Sequence, residues 1–464
     1  MLSASLMPLL ELVEPHQVRM DADSLQTYGS DWTEDLCFPP DLVLLPETTE
    51  QVSRIWTDCN QHAISVTPAG GRTGLSGGML PVRGGVLVSL ERMNRILEVD
   101  ARNLQMVVEP GVIVQHIHEA AETVGLLYPP DPSSRGSCLI GGNVAENAGG
   151  IRAVKYGITQ EYVLGLEAVL PSGEVIHTGA RVLKNATGYN LTQLLVGSEG
   201  TLAVITKIYL KLVPKPQHEI SLFAPFASAE AACAAVSAIF QAGITPSALE
   251  FLERDAIDFA CAYLKLAPIE TQGTEAHLLV AVDGMYLDVL WKDLEVIHAI
   301  LLEHGAQECE VAETAQQKDR LWKLRRIVGE AVKSTSTYKE EDTVVPRAEL
   351  PRLLAFVKEL GRRYGFRSVC YGHAGDGNLH INILRDDLDE YQWNDVLPLA
   401  IEELFRFVVG LGGTLSGEHG IGWVQRRYMP LAFGTVELAL MKQIKGVFDP
   451  NGILNPGKLF PDHA

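Results

Sequence analysis

The segment from Tyr371 to Asn382, which reads Tyr-Gly-His-Ala-Gly-Asp-Gly-Asn-Leu-His-Ile-Asn, constrains the fold of this chain more than any other feature. Its centre, residues 374–378, is rich in glycine, aspartate and asparagine, and this composition favours a tight reversal of the chain. Short runs with strand character flank the centre at 369–373 and 379–383. The sequence therefore predicts a β-hairpin.

Two histidines of this hairpin and a later glutamate form a candidate metal site. Side chains alternate along a strand, so His380 and Asn382 are expected on one face, with His373 entering from the opposite strand. Glu418, in the glycine-flanked run 416–420, adds a carboxylate. Two imidazoles and one carboxylate suit zinc, iron or manganese and leave coordination positions open for a substrate. From these residues alone, ordinary polar roles for both histidines stay open.

Composition and charge limit the classes of function. The chain has 464 residues and a formal net charge of −20, so two or three domains are expected and neither nucleic acid nor an anionic membrane is an expected general partner. The sequence contains no apolar run long enough for a transmembrane helix, and its start lacks the basic region of a secretory signal. A cytoplasmic protein is expected, and peripheral contact with a membrane stays open.

The seven cysteines predict neither disulfides nor an iron–sulfur cluster. Their number is odd, and no two lie in a Cys-x-x-Cys arrangement. We expect all seven to act as small buried hydrophobic residues.

The distribution of strands and helices predicts an α+β fold. Strand-like runs with glycine turns fill residues 40–215, and helical periodicity covers Thr49–Gln61 and Val114–Val124. The proline-containing segment Val213–Gln217 is predicted to be an irregular linker, which sets a domain boundary near 215. Further predicted elements are strands at 63–67, 85–89, 104–109, 163–170, 200–212 and 276–283, and helices at 228–242 and 435–447.

Three glycine-rich regions suggest a large bound cofactor. The loop Pro68–Gly78 follows a strand and could aim backbone N–H groups at a phosphate, with Arg72, Thr73 and Ser76 as further donors. It matches neither standard nucleotide fingerprint, and a simple long turn is the alternative. The clusters 141–150 and 184–203 could bring backbone close to a flat ring system. Arg152, Lys155 and Lys184 are further cofactor candidates of lower rank.

Seven motifs, in order along residues 35–460, resemble the FAD-linked D-2-hydroxy acid dehydrogenases of the vanillyl-alcohol-oxidase type. That family includes D-lactate, D-2-hydroxyglutarate and glycolate dehydrogenases. The motifs lie at 68–78, 128–150, 184–189, 197–201, 371–380, 416–422 and 448–458.

The resemblance implies an FAD-binding domain of two α+β subdomains at 1–215 and a cap domain at 216–425. The cap would have an antiparallel sheet with helices and would carry the metal site, while 426–464 would return to the FAD domain. No histidine stands in the first glycine loop, so noncovalent FAD is expected. The implied FAD contacts are Pro68, Gly70, Gly71, Arg72, Thr73, Gly74, Leu75, Ser76, Pro132, Ser133, Gly136, Ser137, Gly141, Gly142, Asn143, Asn147, Gly149, Gly150, Glu199, Gly200, Ile205 and Asn455.

The resemblance also assigns roles in catalysis. It implies a divalent metal, most simply zinc with manganese or iron as alternatives, on His373, His380 and Glu418. His419 would be the base, Asn382 a substrate contact, and Arg325 and Lys339 cationic anchors for the substrate carboxylate. Without the resemblance, Arg325 and Lys339 would be taken for solvated surface charges.

The expected reaction is metal-dependent oxidation of a D-2-hydroxy acid to a 2-oxo acid, with hydride transfer to flavin N5. A monocarboxylate such as D-lactate, glycolate or a larger acid is preferred, because diacid-specific relatives tend to have a hydroxyl residue where this chain has Gly329. The alternatives are a D-2-hydroxyglutarate dehydrogenase, a metal-free flavin alcohol oxidase and a noncatalytic FAD-binding subunit. An external quinone, cytochrome or electron-transferring flavoprotein would accept the electrons, and a homodimer stays open.

Overall fold

The structure, a computed structural model, describes residues 3–33, 36–267, 269 and 273–462. The chain divides into two compact units. The first unit comprises Met1–Gly149, Ile158–Lys215 and Glu418–Ala464, and the second comprises Gly150–Gly157 and Pro216–Gly417.

These units differ from the predicted domains at two places. The return to the first unit comes after Gly417 rather than near 425, because the amides of Ile421 and Gly422 donate to Glu199 of the first unit. The short segment Gly150–Gly157 belongs to the second unit, which the sequence did not indicate. There Lys155 Nζ lies 2.5 Å from Asp283 Oδ1.

Two of the lower-ranked cofactor candidates lie in that short segment and pair with acids of the second unit. Lys155 pairs with Asp283, and Arg152 Nη2 lies 3.4 Å from Glu219 Oε2. Tyr156 also donates to Asp283, at 2.8 Å. These contacts fasten the segment to the second unit, and a cofactor contact of Arg152 or Lys155 stays a prediction.

The strands of the first unit form a four-stranded sheet, a five-stranded sheet and a two-stranded ladder. The four-stranded sheet has the order β1-β2-β4-β3, with β4 parallel to both neighbours, and the five-stranded sheet β5-β6-β10-β8-β9 is antiparallel. The ladder pairs β7 with β11. The bounds are β1 Val18–Arg19, β2 Leu42–Leu44, β3 Val66–Ala69, β4 Val86–Ser89, β5 Ile96–Asp100, β6 Gln105–Val108, β7 Leu126–Leu127, β8 Val163–Val169, β9 Val175–Gly179, β10 Val204–Lys211 and β11 Val213–Pro214.

The second unit is built on one antiparallel sheet of seven strands in the order β15-β12-β14-β13-β17-β18-β16. Its bounds are β12 His218–Phe226, β13 Ala248–Glu253, β14 Ala276–Gly284, β15 Glu310–Ala312, β16 Tyr338–Val344, β17 Arg367–Gly372 and β18 Asn378–Leu384. One face packs on two helices, α8 and α10 (bounds below). In this cluster Leu252, Leu279 and Tyr371 of the sheet join Ile257 and Leu324 of the helices.

The α-helices lie between the strands in both units, and their bounds in chain order are α1 Ala22–Tyr28, α2 Thr49–Gln61, α3 Val114–Glu122, α4 Ile140–Glu146, α5 Ala153–Tyr156, α6 Leu191–Leu195, α7 Ala229–Gln241, α8 Arg254–Tyr263, α9 Leu287–Glu303, α10 Ala315–Lys333, α11 Leu350–Tyr364, α12 Leu397–Gly410, α13 Met429–Ala432 and α14 Thr435–Phe448. Helix α2 has the predicted bounds. Its hydroxyl cap Thr48 accepts from Gln51 N, and Val52, Ile55 and Cys59 are buried at helical spacing.

Two expectations from the sequence are wrong in detail. Val213–Pro214 is not irregular, because it forms β11 and pairs with Leu126–Leu127. All seven cysteines are free, but only five are buried. Cys37 lies in a loop near the carbonyl of Gln26, and Cys309 precedes β15, the edge strand of its sheet, so both remain partly exposed. Within the described ranges, no helix has both the length and the apolar character needed to cross a bilayer.

Candidate functional site

The predicted hairpin is confirmed as β17 and β18. The two strands pair antiparallel, with Tyr371 opposite His380 and Val369 opposite Asn382. A short 3-10 turn at Ala374–Asp376 joins them and ends at Gly377, whose φ is +79°. A side chain at Gly377 would collide with the carbonyl of Val345, so this turn requires glycine.

His373 and His380 lie together at one end of the hairpin. Both side chains are buried, and their ring centroids are 5.4 Å apart with the rings nearly perpendicular. Asn382 shares the face of His380, as strand alternation predicted, and is 0 % exposed. Neither polar atom of its side chain has a hydrogen-bond partner among the described residues. A buried amide without partners is costly, which makes Asn382 a suitable contact for a bound ligand.

Glu250 on β13 binds two of the predicted site residues at once. Its Oε2 lies 2.5 Å from Arg325 Nε, and its Oε1 lies 2.9 Å from His373 Nδ1. Burial by itself raises the pKa of Glu250, but Arg325 and His373 outweigh that effect and the pKa lies below its ordinary value. Glu250 is therefore an anion that accepts the Nδ1 proton of His373. This tautomer leaves Nε2 of His373 with a lone pair for a metal.

Arg325 is almost fully enclosed, at 2 % exposed, although its helix α10 is rich in charged residues. Its guanidinium stands 5.3 Å from the ring centroid of Tyr371 and pairs with Glu250. An Nη2 atom also lies 3.5 Å from His373 Nδ1. That contact is not a hydrogen bond, since Nδ1 already carries the proton donated to Glu250. The solvated position that charge alone would suggest for Arg325 is not observed.

Two acids of β16 share the sheet face of His380. Asp342 pairs with His380 and Glu340 with Asn382 in the strand register. His380 Nδ1 lies 3.3 Å from Glu340 Oε1 and 3.6 Å from Asp342 Oδ1. Both acids are enclosed, so negative charge faces this imidazole on its Nδ1 side.

Asp342 also holds the loop that precedes Glu418. Its Oδ2 accepts from Ser416 Oγ and from the Gly417 amide, each at 2.8 Å. Its Oδ1 accepts from Asn378 Nδ2 at 2.7 Å. The carboxylate therefore links the start of β18 to the last residues of the second unit. Glu418, which is half-buried, is the next residue in the chain and the first of the closing segment of the first unit.

Lys339 lies apart from the other predicted anchor. It pairs with Ile383 in the sheet register, so it points to the face opposite His380 and Asn382. Its Nζ donates to the carbonyl of Trp393 at 3.1 Å and stands 4.6 Å from that ring. The structure therefore does not support Lys339 as a substrate contact, because strand alternation turns its side chain away.

Sequence reasoning missed Glu250 and the structural part played by Asp342. The signal for Glu250 was a carboxylate inside the apolar run Ala-Leu-Glu-Phe-Leu at 248–252, where an unpaired charge would be too costly to bury. The partners of Asp342 come from residues far along the chain, which no local pattern reveals.

In the first unit, two of the predicted cofactor loops lie side by side. A Cβ at Gly71 would come within 2.8 Å of the Ser137 carbonyl, and one at Gly70 would lie 3.6 Å from Gly142. A Cβ at Gly74, Gly136 or Gly142 would meet nothing within 4 Å in the described part of the chain. These bare backbone surfaces next to one another make a cradle that suits close approach of a large ligand.

Other cofactor candidates occupy special positions around that cradle. Asn143 is buried, and its Nδ2 has no partner among the described residues. Asn147 and Glu199 have left-handed backbone conformations, with φ of +55° and +52°. Asn455 donates to the carbonyls of Gly78 and Glu199, both at 2.9 Å. The C-terminal segment thus fixes two of the predicted loops.

The remaining candidates divide by exposure and by unit. Pro132, Gly149 and Ile205 are buried in the first unit, Ser133 is exposed, and Gly150 belongs to the second unit. The region 184–190 is exposed throughout, with Tyr189 at 96 %. Lys184 therefore lies on an exposed segment, and its contact with a cofactor stays a prediction.

Glu146 and Glu199 are two buried acids that lie near each other, a pairing that was not predicted. Glu199 accepts from the amides of Ile421 and Gly422, which follow His419 by two and three residues. Burial raises the pKa of Glu199 to about 6, against the effect of those amides. Burial, with Glu199 and Asp31 nearby, raises the pKa of Glu146 well above its ordinary value. Glu199 therefore holds the backbone that carries His419.

Comparison with known families matches most of the chain. Residues 40–179 match the FAD binding domain family, and residues 215–459 match the family of FAD linked oxidases, C-terminal domain. The chain is 40% identical to a D-lactate dehydrogenase of Anaerostipes hadrus over 90% of this chain and 89% of that protein. It is 39% identical to the glycolate oxidase subunit GlcD of Bacillus subtilis over 94% and 92%.

A solved structure shares the fold. A substrate-bound p-cresol methylhydroxylase superposes with a TM-score of 0.80 over 98% of this chain and 96% of that chain, at 17% identity. This likeness confirms the predicted α+β fold, and the family match at residues 40–179 confirms the FAD-binding part.

Proposed function

The chain belongs to the family of FAD-linked oxidases and is an FAD-linked oxidoreductase, and on that premise we propose that it oxidises D-2-hydroxy acids to 2-oxo acids with the help of a divalent metal. The observation that carries this proposal is the pair of buried imidazoles, His373 and His380, with carboxylates facing their Nδ1 atoms. Such an arrangement keeps Nε2 available and is typical of metal-binding histidines.

Noncovalent FAD fits the first unit. The bare glycine surfaces at Gly74, Gly136 and Gly142 leave room for a ligand, and Asn143 offers a buried donor without a partner among the described residues. When bound, the isoalloxazine supplies an acceptor for the hydride that leaves the substrate Cα. The first glycine loop contains no histidine for a covalent link.

We assign the metal to His373, His380 and Glu418, with zinc preferred over manganese or iron. Two nitrogen ligands and one carboxylate suit zinc with an open coordination position. Asp342 supports this assignment, because it accepts hydrogen bonds from Ser416 and Gly417. These bonds restrict the position of the backbone that leads into Glu418. A divalent ion at this position would raise the acidity of the substrate hydroxyl.

The chain's own groups account for the rest of the chemistry. Arg325 uses Nε for Glu250, so its terminal nitrogens remain to bind a substrate carboxylate. His419 takes the hydroxyl proton, and Asn382 contacts the substrate through its otherwise unsatisfied amide. Loss of that proton and of the Cα hydride converts the 2-hydroxy acid to a 2-oxo acid.

The substrate we prefer is a monocarboxylate such as D-lactate, glycolate or a larger D-2-hydroxy acid. Glu250 already neutralises Arg325, and the acids Glu340 and Asp342 face the same part of the sheet. A second substrate carboxylate would meet this negative charge at a cost. The relatives named D-lactate dehydrogenase and glycolate oxidase agree with this choice. D-2-hydroxyglutarate is the alternative.

Turnover of purified holoprotein with a dye acceptor tests the proposal. D-lactate, glycolate, L-lactate and D-2-hydroxyglutarate are compared before and after treatment with a chelator, and zinc or manganese is then returned. We expect oxidation of a D-monocarboxylate that chelation abolishes and one metal restores, with FAD retained throughout. Unchanged turnover after chelation and in His380→Ala would instead favour a metal-free flavin alcohol oxidase. Failure of every acid to bleach the flavin would favour a noncatalytic FAD-binding subunit.

The electron acceptor is proposed to be an external quinone, cytochrome or electron-transferring flavoprotein, because the sequence offers no motif for a second redox centre. A cytoplasmic location is proposed as well. Turnover measured with each candidate acceptor identifies the electron acceptor. Light scattering of the holoprotein gives its assembly state.

A further inference from the structure

We propose that Glu250 is a positioning residue that joins the metal half of the site to the anion-binding half. Its carboxylate accepts from His373 Nδ1 at 2.9 Å and from Arg325 Nε at 2.5 Å. The inference rests on the proposed function, in which His373 binds a metal and Arg325 binds a substrate carboxylate. It adds the residue that fixes the side chains of His373 and Arg325 relative to each other.

The position of Glu250 in the sheet makes it suitable for this role. It lies on β13, where it pairs with Leu279 of β14, and the pairing with β17 begins at the next residue, Phe251. Its side chain is fully enclosed and points to the sheet face that packs on α10. A carboxylate on a central strand moves little. It can therefore hold His373, which follows β17, at a fixed distance from Arg325 on α10.

The hydrogen-bond directions explain what is positioned. The Nδ1 proton of His373 goes to Glu250, which fixes the tautomer and turns Nε2 away from the carboxylate. The Nε proton of Arg325 goes to the other oxygen, which leaves the outer edge of the guanidinium for an anion. Removal of the Glu250 charge should therefore weaken metal binding and substrate binding together.

A purely structural ion pair is the competing explanation, and the same strand supplies a matched control. Glu253 is also buried on β13 but points to the opposite face, where it binds Lys358 Nζ at 2.8 Å and the Cys370 amide at 2.6 Å. Glu253→Gln thus removes another buried, ion-paired carboxylate three positions along the chain. It leaves His373 and Arg325 untouched.

The test uses FAD-loaded wild type, Glu250→Gln and Glu253→Gln. Zinc affinity is measured by competition with a chromophoric chelator, and KM for D-lactate is measured separately from kcat. We expect Glu250→Gln to lose zinc affinity about 10–100-fold and to raise KM, with the flavin absorbance per chain unchanged. We expect Glu253→Gln to keep wild-type zinc affinity and KM, even where its thermal midpoint falls.

Equal zinc affinity and KM in wild type and Glu250→Gln would overturn the inference while leaving the proposed function in place. Absence of stoichiometric zinc or manganese binding by the wild type would instead overturn the proposed function itself. Should Glu250→Gln fold poorly, Glu250→Asp replaces it, since it keeps the charge and shortens the reach. Its zinc affinity should fall while circular dichroism stays native, and a native Glu250→Asp with wild-type affinity contradicts the positioning role.

Discussion

The amide of Gly417 donates to Asp342 twice over, at 2.8 Å to the side-chain Oδ2 and at 3.0 Å to the main-chain carbonyl. Strand β16 thereby holds the last residue before Glu418. A Cβ at Gly417 would lie 2.7 Å from Asn378 Nδ2 and 2.6 Å from Val344 Cγ2. Glycine is required here because a side chain would clash with these neighbours, and not because the backbone has an unusual φ.

Gly417→Ala should therefore displace the loop that delivers Glu418. We expect a loss of about 1–3 kcal/mol in stability from overpacking, together with reduced zinc content per chain. The matched control is Gly446→Ala in α14, where a Cβ meets nothing within 4 Å among the described residues. Metal analysis of both variants checks the prediction, and equal zinc content in the two would contradict it.

Asn382→Leu should separate the effect of the buried amide on stability from its effect on turnover. The amide has no partner among the described residues, and a buried unsatisfied group costs about 1–3 kcal/mol. We expect the variant to melt at a higher temperature than the wild type but to lose most of its turnover, because the substrate loses a contact. Differential scanning calorimetry and steady-state kinetics measure the two effects.

Ser221→Ala is the control for that experiment. The Ser221 hydroxyl on β12 is also buried without a partner in the described part of the chain. It should likewise gain stability, but its turnover should stay at the wild-type level. Retained activity in Asn382→Leu would remove Asn382 from the substrate site.

Arg325 and Lys339 should behave differently when substituted. Arg325→Lys keeps a positive charge beside Glu250 but loses the planar donor edge, so KM for D-lactate should rise about tenfold to a hundredfold, equivalent to about 1.5–3 kcal/mol. Lys339→Met should leave KM unchanged, because its side chain points to Trp393 on the opposite sheet face. A higher KM in Lys339→Met would restore the anchor role that the resemblance implies.

The buried acid Glu146 should make stability depend on pH. Its raised pKa means that the protonated form is favoured in the folded state, so its stabilising contribution is complete below 4.5, the ordinary value, and is lost as pH rises through the folded pKa. Glu146→Gln does not titrate at this position and so does not lose stability there as pH rises. The thermal midpoint of the variant minus that of the wild type should therefore increase as pH rises from about 5 to about 8.

Thermal scans of both FAD-loaded proteins across that pH range check the sign of the effect. The groups around Glu146 are Glu199, Asp31 and Lys458, and these are unchanged in the variant. Glu50→Gln, at an exposed position, serves as the reference substitution. Parallel curves for Glu146→Gln and the wild type would show that Glu146 is ionised alike in the folded and unfolded chains.

Local patterns in the sequence were sufficient for the individual elements. The helical periodicity of residues 49–61 predicted α2 with the observed bounds, since helix formation depends on neighbours three and four residues apart. Glycine and asparagine between two strand-like runs predicted the hairpin, and alternation placed His380 with Asn382. The ordered motifs also predicted the family and the FAD-binding part.

The tertiary structure alone decided which charged groups meet. Glu250 is 75 residues from Arg325 and 123 from His373 in the chain, and Asp342 is 75 from Gly417. Strand register also placed Lys339 on the sheet face opposite His380. A register shifted by one residue would place it on the same face, and composition does not reveal the register. Backbone patterns are local, whereas the pairing of buried charges depends on which strands become neighbours, and only the folded sheet determines that.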